Sequence, residues 1–262
     1  MTPDQRTTLR RHLISTGIAG DTRTPRSNAV RNAEKLADGD PDKALGVGAR
    51  GRDAAGILEA VAKLCGCSPT LDERDGPGFI DPDRTLDELH ALGDRIEEAV
   101  RRGERMLIAT GHPTGLLAMY QAVARALTAA GMTLEQPLDN VELRPPRRHR
   151  RRRLFRYLDG VAVLSTGADL LHTHESWPME QLLDAIDPPD LVLADHGYAG
   201  AAMVRGLQTV SFTDVNDPAI AVAKADGLTD VVVPLDDNVP PAWYEPIGDY
   251  LIGRVRAAAE NL

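Results

Sequence analysis

The chain has 262 residues, 42% of them hydrophobic but only 4% aromatic, and a formal net charge of −9. It is long enough to bury a sizeable core and too apolar for a disordered chain. Its apolar set is Ala, Val, Leu and Ile rather than Phe, which suits helices packed on a parallel sheet.

No stretch approaches the ~18 apolar residues of a membrane span, and residues 1–20 contain no apolar leader segment. Cys65 and Cys67 have no distant partner, so no disulfide framework is expected. These features predict a cytoplasmic protein without a membrane partner. Residues 144–153, RPPRRHRRRR, hold seven arginines and no acid, which leaves the rest of the chain strongly acidic. Nucleic-acid binding is therefore not favoured. The run reads as a solvated rim or as a guide for a phosphorylated substrate.

In chain order, residues 1–103 read as a helical N-terminal region without strands. Its helices are predicted over 4–15, 27–37, 52–64 and 87–102, and Gly/Pro-rich connectors lie between them. From 104 to 262 an α/β domain is expected. Residues 106–109 form a strand and 113–130 a helix. Three short strands over 154–158, 161–164 and 169–172 form an antiparallel insert, and 179–186 is a helix. Strands at 191–194, 209–212 and 231–234 each precede a helix, the first of these from about Gly200. The predicted fold is therefore a Rossmann-like, mostly parallel sheet with helices on both faces.

Ligands of such sheets bind beyond the carboxyl ends of the strands, and here those ends are chemically unusual. Thr110-Gly111-His112-Pro113-Thr114-Gly115 runs from a strand into a helix. Pro113 at the first helical position would leave the N–H groups of Thr114 and Gly115 facing an anion, in a loop begun by Gly111. The plain alternative is an ordinary capped helix start. His172 and His174, two residues apart, share one face of an extended segment and are candidate phosphate or metal contacts.

Asp195 and His196 leave one strand, and Asp214, Asn216 and Asp217 leave the next. If the strands are neighbours, these groups form an oxygen-rich site suited to Mg²⁺ or Mn²⁺. Asp217 before Pro218 also reads as a helix cap, and Asp237-Asn238 either as part of a loop that closes the site or as a plain turn.

Four motifs, TGHPTGLLAMYQAVARAL, HTHESWPMEQLL, LVLADHGYAGAA and DVNDPAIAVAKADG, together resemble an actinobacterial family of phosphatases. The segment from Asp195 to Gly200 and the Asn216-Asp217 pair are also distantly similar to motifs of the damage-control metal-dependent phosphatases. That similarity implies metal-ligand roles for Asp195 and Asp217, with His196 standing where that family has Asn.

The expected activity is metal-dependent hydrolysis of a small phosphorylated metabolite. Asp195, His196, Asn216 and Asp217 would hold the ion, Asp214 or His112 would act as acid or base, and Gly111, Thr114, Gly115, His172 and His174 would contact phosphate. A non-catalytic phospho-ligand binder and an isomerase or transferase using the histidines as bases are the alternatives. A homo-oligomer is compatible with this reading.

Overall fold

A computed structural model describes residues 1–146 and 151–262. The centre of the arginine run lies outside the described residues. The chain opens with α1 (Pro3–Thr16), β1 (Gly20–Pro25), α2 (Arg26–Ala37), the short α3 (Pro41–Ala44), α4 (Ala54–Cys65), β2 (Pro77–Ile80) and α5 (Pro82–Arg102). It continues with β3 (Arg105–Thr110), α6 (Leu117–Ala129), β4 (Thr133–Leu134), β5 (Leu154–Leu158), β6 (Val161–Ser165), α7 (Trp177–Asp184), β7 (Leu191–Asp195) and α8 (His196–Val204). β8 (Thr209–Thr213), α9 (Pro218–Ala225), β9 (Val231–Pro234), a 3₁₀ turn (Pro241–Tyr244) and α10 (Glu245–Ala259) complete it.

The fold is α/β. Among the described residues, seven strands form one mostly parallel sheet in the order β5-β6-β3-β7-β8-β9, with β4 beside the start of β3. Among these strands β5 runs antiparallel, paired with β6. The strands are apolar because both faces are covered: every residue of β6, β7, β8 and β9 is buried. From β3 the chain crosses to β6 on one side, then returns to β7 on the other. The carboxyl ends of β3 and β7 therefore flank the point where the winding direction reverses, and open α/β sheets place ligands there.

Several expectations are corrected. The N-terminal region is not purely helical, because β1 and β2 pair antiparallel over a long sequence separation. Their sequences, GDTRTP and PGFI, show no apolar alternation. Close approach at Gly78, where a Cβ would lie 2.6 Å from the Thr22 hydroxyl and the Thr24 carbonyl, makes the pair possible. α5 begins at Pro82 rather than near 87, because Asp81 caps it by accepting the Asp83 N–H.

The strand expected at 169–172 does not form. Only a Ser165–Leu170 bridge is present, because Gly167 at φ +99° turns the chain and the Ser165 hydroxyl donates to the Asp169 carbonyl. The helix expected from 113 starts at Leu117, and the one expected from about Gly200 starts at His196. One continuous hydrophobic cluster includes Leu89 and Ile96 of α5 together with Val232 of β9 and Leu251 of α10, so the core crosses the boundary near residue 103.

Candidate functional site

The strand ends converge. β7 passes into α8 without a loop, and His196 at the junction has φ +48°. A left-handed conformation is uncommon for a residue with a side chain, though less so for His. Such strain persists only where its surroundings enforce it. Here the enforcing contact is close packing: a Cβ on the next residue, Gly197, would run into the His174 carbonyl oxygen and lie 2.7 Å from the Glu175 carbonyl.

The elbow places His196 against three other imidazoles. Its ring centroid lies 5.4 Å from His112, 5.2 Å from His172 and 5.0 Å from His174. His112 and His172 are themselves stacked at 4.3 Å.

Hydrogen bonds fix which nitrogen of His196 is available. The fully buried Asp195 accepts through Oδ1 from the Gly111 N–H at 2.8 Å and lies 2.9 Å from His196 Nδ1. His196 Nε2 then faces Asp217 Oδ2 at 3.5 Å and Asp237 Oδ2 at 3.6 Å. His174 is held in the same way. Its Nδ1 lies 3.0 Å from the Asp42 carbonyl and 3.2 Å from Asp42 Oδ1, which leaves Nε2 available. A carboxylate on one ring nitrogen with the other turned inward is the usual support of a metal-ligating histidine.

His174, His196 and Asp217 offer ligand atoms within 4.8 Å of one another, as do His112, His172 and His196, and Asp214, Asp236 and Asp237. Two ligands on one ion, each at ~2.0–2.1 Å, can be at most ~4 Å apart, so these sets need only a small contraction. His196 has one free nitrogen, so it can serve only one of the two imidazole sets at a time.

The electrostatics follow from this crowding. Burial works against a charge on His196, but Asp217, the Asp195 hydrogen bond and Asp237 outweigh it and push its pKa up to about 10. Burial, together with its three imidazole neighbours, pulls His172 down to about 4, although part of this residue reaches solvent. Burial also opposes ionisation of Asp237, yet the adjacent His112 ring and the charges of the histidines hold its pKa below the usual carboxylate range. Asp214 is pushed well up by burial and by the charges of Asp237, Asp236 and Asp217.

Not every expected residue keeps its expected contact. The Gly115 N–H donates to the His112 carbonyl at 3.2 Å and the Gly111 N–H to Asp195, so neither is free for an anion. The Thr114 residue is exposed. Gly115 is needed for close approach, since a Cβ there would run into the Asp237 carbonyl.

Asp195 stands behind His196 and belongs to none of the three ligand sets. Asn216 donates to Asp214 and accepts from Asn32 Nδ2, so its amide braces the loop. Asp214 accepts from the Val215 N–H and, more weakly, from the Thr24 hydroxyl at 3.4 Å. Asp217 opens α9 but makes no side-chain cap bond; it faces His196 instead.

Sequence reasoning placed Asp237 only in a loop that closes the site or in a plain turn and gave it no chemical role, though it lies 3.4 Å from His112 Nδ1 and is the second carboxylate on His196. The Asp-Asp pair immediately beyond a buried strand was the available signal. Asp42 and Lys43 were also missed. Asp42 reaches His174 across 132 residues, and no local pattern announces such a contact.

The chain is 38% identical over 258 residues to Phosphatase SCO2771 of Streptomyces coelicolor, an alignment covering 94% of this chain and 95% of that protein. The family described as Phosphatase matches residues 4–259, which takes in the strand-end histidines and carboxylates and the N-terminal segment that braces them. The chain belongs to this phosphatase family.

Proposed function

We propose that the protein is a metal-dependent phosphatase acting on a small phosphorylated metabolite, with the ion held by His174, His196 and Asp217. One observation carries the choice of ligands: both imidazoles of this set have Nδ1 held at a carboxylate residue, Asp42 or Asp195, and so present Nε2. A donor set of two imidazoles and one carboxylate suits Mn²⁺, Fe²⁺ or Zn²⁺ better than Mg²⁺, which prefers oxygen ligands and water. Once bound, such an ion supplies Lewis-acid polarisation of a phosphoryl oxygen and lowers the pKa of a water.

The remaining residues have separate tasks. Asp195 fixes the His196 ring and ties it to the Gly111 N–H. His112 faces Asp237 at 3.4 Å, so a carboxylate-oriented imidazole stands ready to carry a proton to or from the reacting oxygen. His172 is depressed to about 4, is neutral at pH 7, and offers the phosphate a ring nitrogen without adding charge. Asp214, engaged by Val215 and Asn216, holds its loop in place.

The test is phosphate release from p-nitrophenyl phosphate and a panel of sugar and nucleotide phosphates. The protein is first stripped of metal, then reloaded singly with Mn²⁺, Zn²⁺, Fe²⁺ or Mg²⁺. Activity restored by a transition ion is expected. Release unaffected by chelation overturns the metal dependence. Thermal stabilisation by phosphate esters without turnover across the panel favours a non-catalytic binder.

A further inference from the structure

The phosphatase reading leaves a charge problem. Five buried aspartates (Asp195, Asp214, Asp217, Asp236 and Asp237) stand at the strand ends; burial and its carboxylate neighbours favour the neutral form of Asp214, but the set remains acidic, and a phosphate monoester is a dianion at neutral pH. Like charges at such range in a partly desolvated site repel strongly. One divalent ion offsets only part of this, so the substrate needs a further cation close to the ligand set.

Lys43, on α3, has the right placement. Its ammonium lies 2.8 Å from Asp42 Oδ2, and Asp42 in turn holds His174. The side chain of Lys43 is only 13% exposed, whereas that of Asp42 is 61% exposed. A surface ion pair formed for its own sake leaves both long side chains in water, but here the lysine is drawn inward and the acid faces out. An ammonium has three donors, and Asp42 is the one ion-pair partner of Lys43 among the described residues.

The arm that carries Lys43 is fixed to the sheet domain. Leu45 and Gly46 adopt left-handed conformations at φ 46° and 78°. A Cβ on Gly46 would lie 2.8 Å from the Ser176 Cβ, and one on Gly200 of α8 would run into the Leu45 carbonyl. The arm and the first turns of α8 therefore touch backbone to backbone, which sets Lys43 in place without a ligand.

We propose that Lys43 is the phosphate anchor of this site, donating to a non-bridging oxygen of a phosphoryl group that approaches over His174 and Asp217. This rests on reading the site as a phosphatase. Lys43 would bind the phosphate product in the same way as the ester.

Titration calorimetry with inorganic phosphate, with and without Mn²⁺, tests the anchor independently of turnover. In Lys43→Met the phosphate Kd should rise by at least about tenfold, the loss of one charge-assisted hydrogen bond. In Lys43→Arg it should stay within about threefold of wild type, since the charge and donors are kept. Manganese stoichiometry should be unchanged in both. The KM for p-nitrophenyl phosphate should rise in Lys43→Met more than kcat falls.

A phosphate Kd in Lys43→Met within twofold of wild type overturns the proposal. So does loss of phosphate and manganese together, which would mean that Lys43 merely supports Asp42 and His174. Lys43-dependent phosphate binding by a wild-type protein that hydrolyses no ester would leave the anchor standing and remove the phosphatase reading.

Discussion

The most direct test of the ligand geometry is Asp195→Asn. Asp195 is wholly buried; its Oδ1 serves Gly111 N–H and His196 Nδ1, while Oδ2 has no hydrogen-bond partner among the described residues. An Asn side chain has the same shape. Its carbonyl oxygen can take the Oδ1 position and keep both contacts, and its NH₂ can take the Oδ2 position, in the surroundings shared with the Tyr120 hydroxyl.

The fold should therefore survive, and what is lost is the charge behind the imidazole. A hydrogen bond to a charged group contributes ~1.5–3 kcal/mol against ~1 for a neutral one. The difference, ~0.5–2 kcal/mol, corresponds to roughly two- to thirtyfold in affinity, and changes behind a metal ligand usually cost ~10–100-fold. Asp195→Ala is less informative, because it strands two buried N–H donors at ~1–3 kcal/mol each.

The assay is competition for Mn²⁺ or Zn²⁺ against a fluorescent chelator, read alongside phosphate release and Tm. A 10–100-fold weaker metal affinity with a Tm within about 3 °C of wild type is expected. Affinity and activity both within twofold of wild type would reduce Asp195 to a turn carboxylate and refute the reasoning.

Three further outcomes follow from the same geometry. His196 is held at a pKa of about 10 in the metal-free site, against ~6.5 unfolded, so its contribution to stability is complete below ~6.5 and is lost as pH rises toward 10. Metal-free protein should lose up to ~1.4 kcal/mol per pH unit between pH 7 and 9, while metal-loaded protein, with His196 neutral, should lack this slope; thermal melts with no pH dependence in the metal-free form would contradict it. Asp237→Asn removes the carboxylate shared by His112 and His196, and kcat should fall by about 10²-fold or more while the protein stays folded by circular dichroism. Gly200→Ala tests sign: in an unconstrained helix it should stabilise by ~1 kcal/mol, but the Leu45 carbonyl occupies the space, so a loss of ~1–3 kcal/mol is expected by denaturant titration.

The parts of the fold legible in the sequence were those whose signal is local. β3, β7, β8 and β9 are short runs bounded by polar turns, and each was visible because a doubly covered strand has to be apolar along its length. The strand ends were visible for the converse reason, since His112, Asp195, His196, Asp214 and Asp217 break those runs with side chains that burial makes costly. The roles inside the cluster were not legible. Whether Asp195 ligates or supports depends on where a single hydrogen bond points, and whether Gly115 opens toward an anion or packs on Asp237 depends on a contact more than a hundred residues away. β1 and β2 left no trace in the pattern because their pairing is held by backbone and glycine rather than by apolar side chains.

The N-terminal region shares in the site directly. The Thr24 hydroxyl reaches Asp214, the Arg23 N–H donates to Asp236 at 3.2 Å, Asn32 Nδ2 donates to Asn216 Oδ1 at 3.0 Å, and Asp42 holds His174. Each bond is modest alone, ~0.5–1.5 kcal/mol, but each ends on a different strand-end residue. Ligand sets must be held within about 0.5 Å to work, and loops beyond a parallel sheet have no backbone ladder to hold them. Cross-bracing from residues 23–42 supplies that restraint. Two of the four braces, Arg23 and Thr24, are carried by β1, so the element that was invisible in the sequence is part of what fixes the carboxylates that were visible.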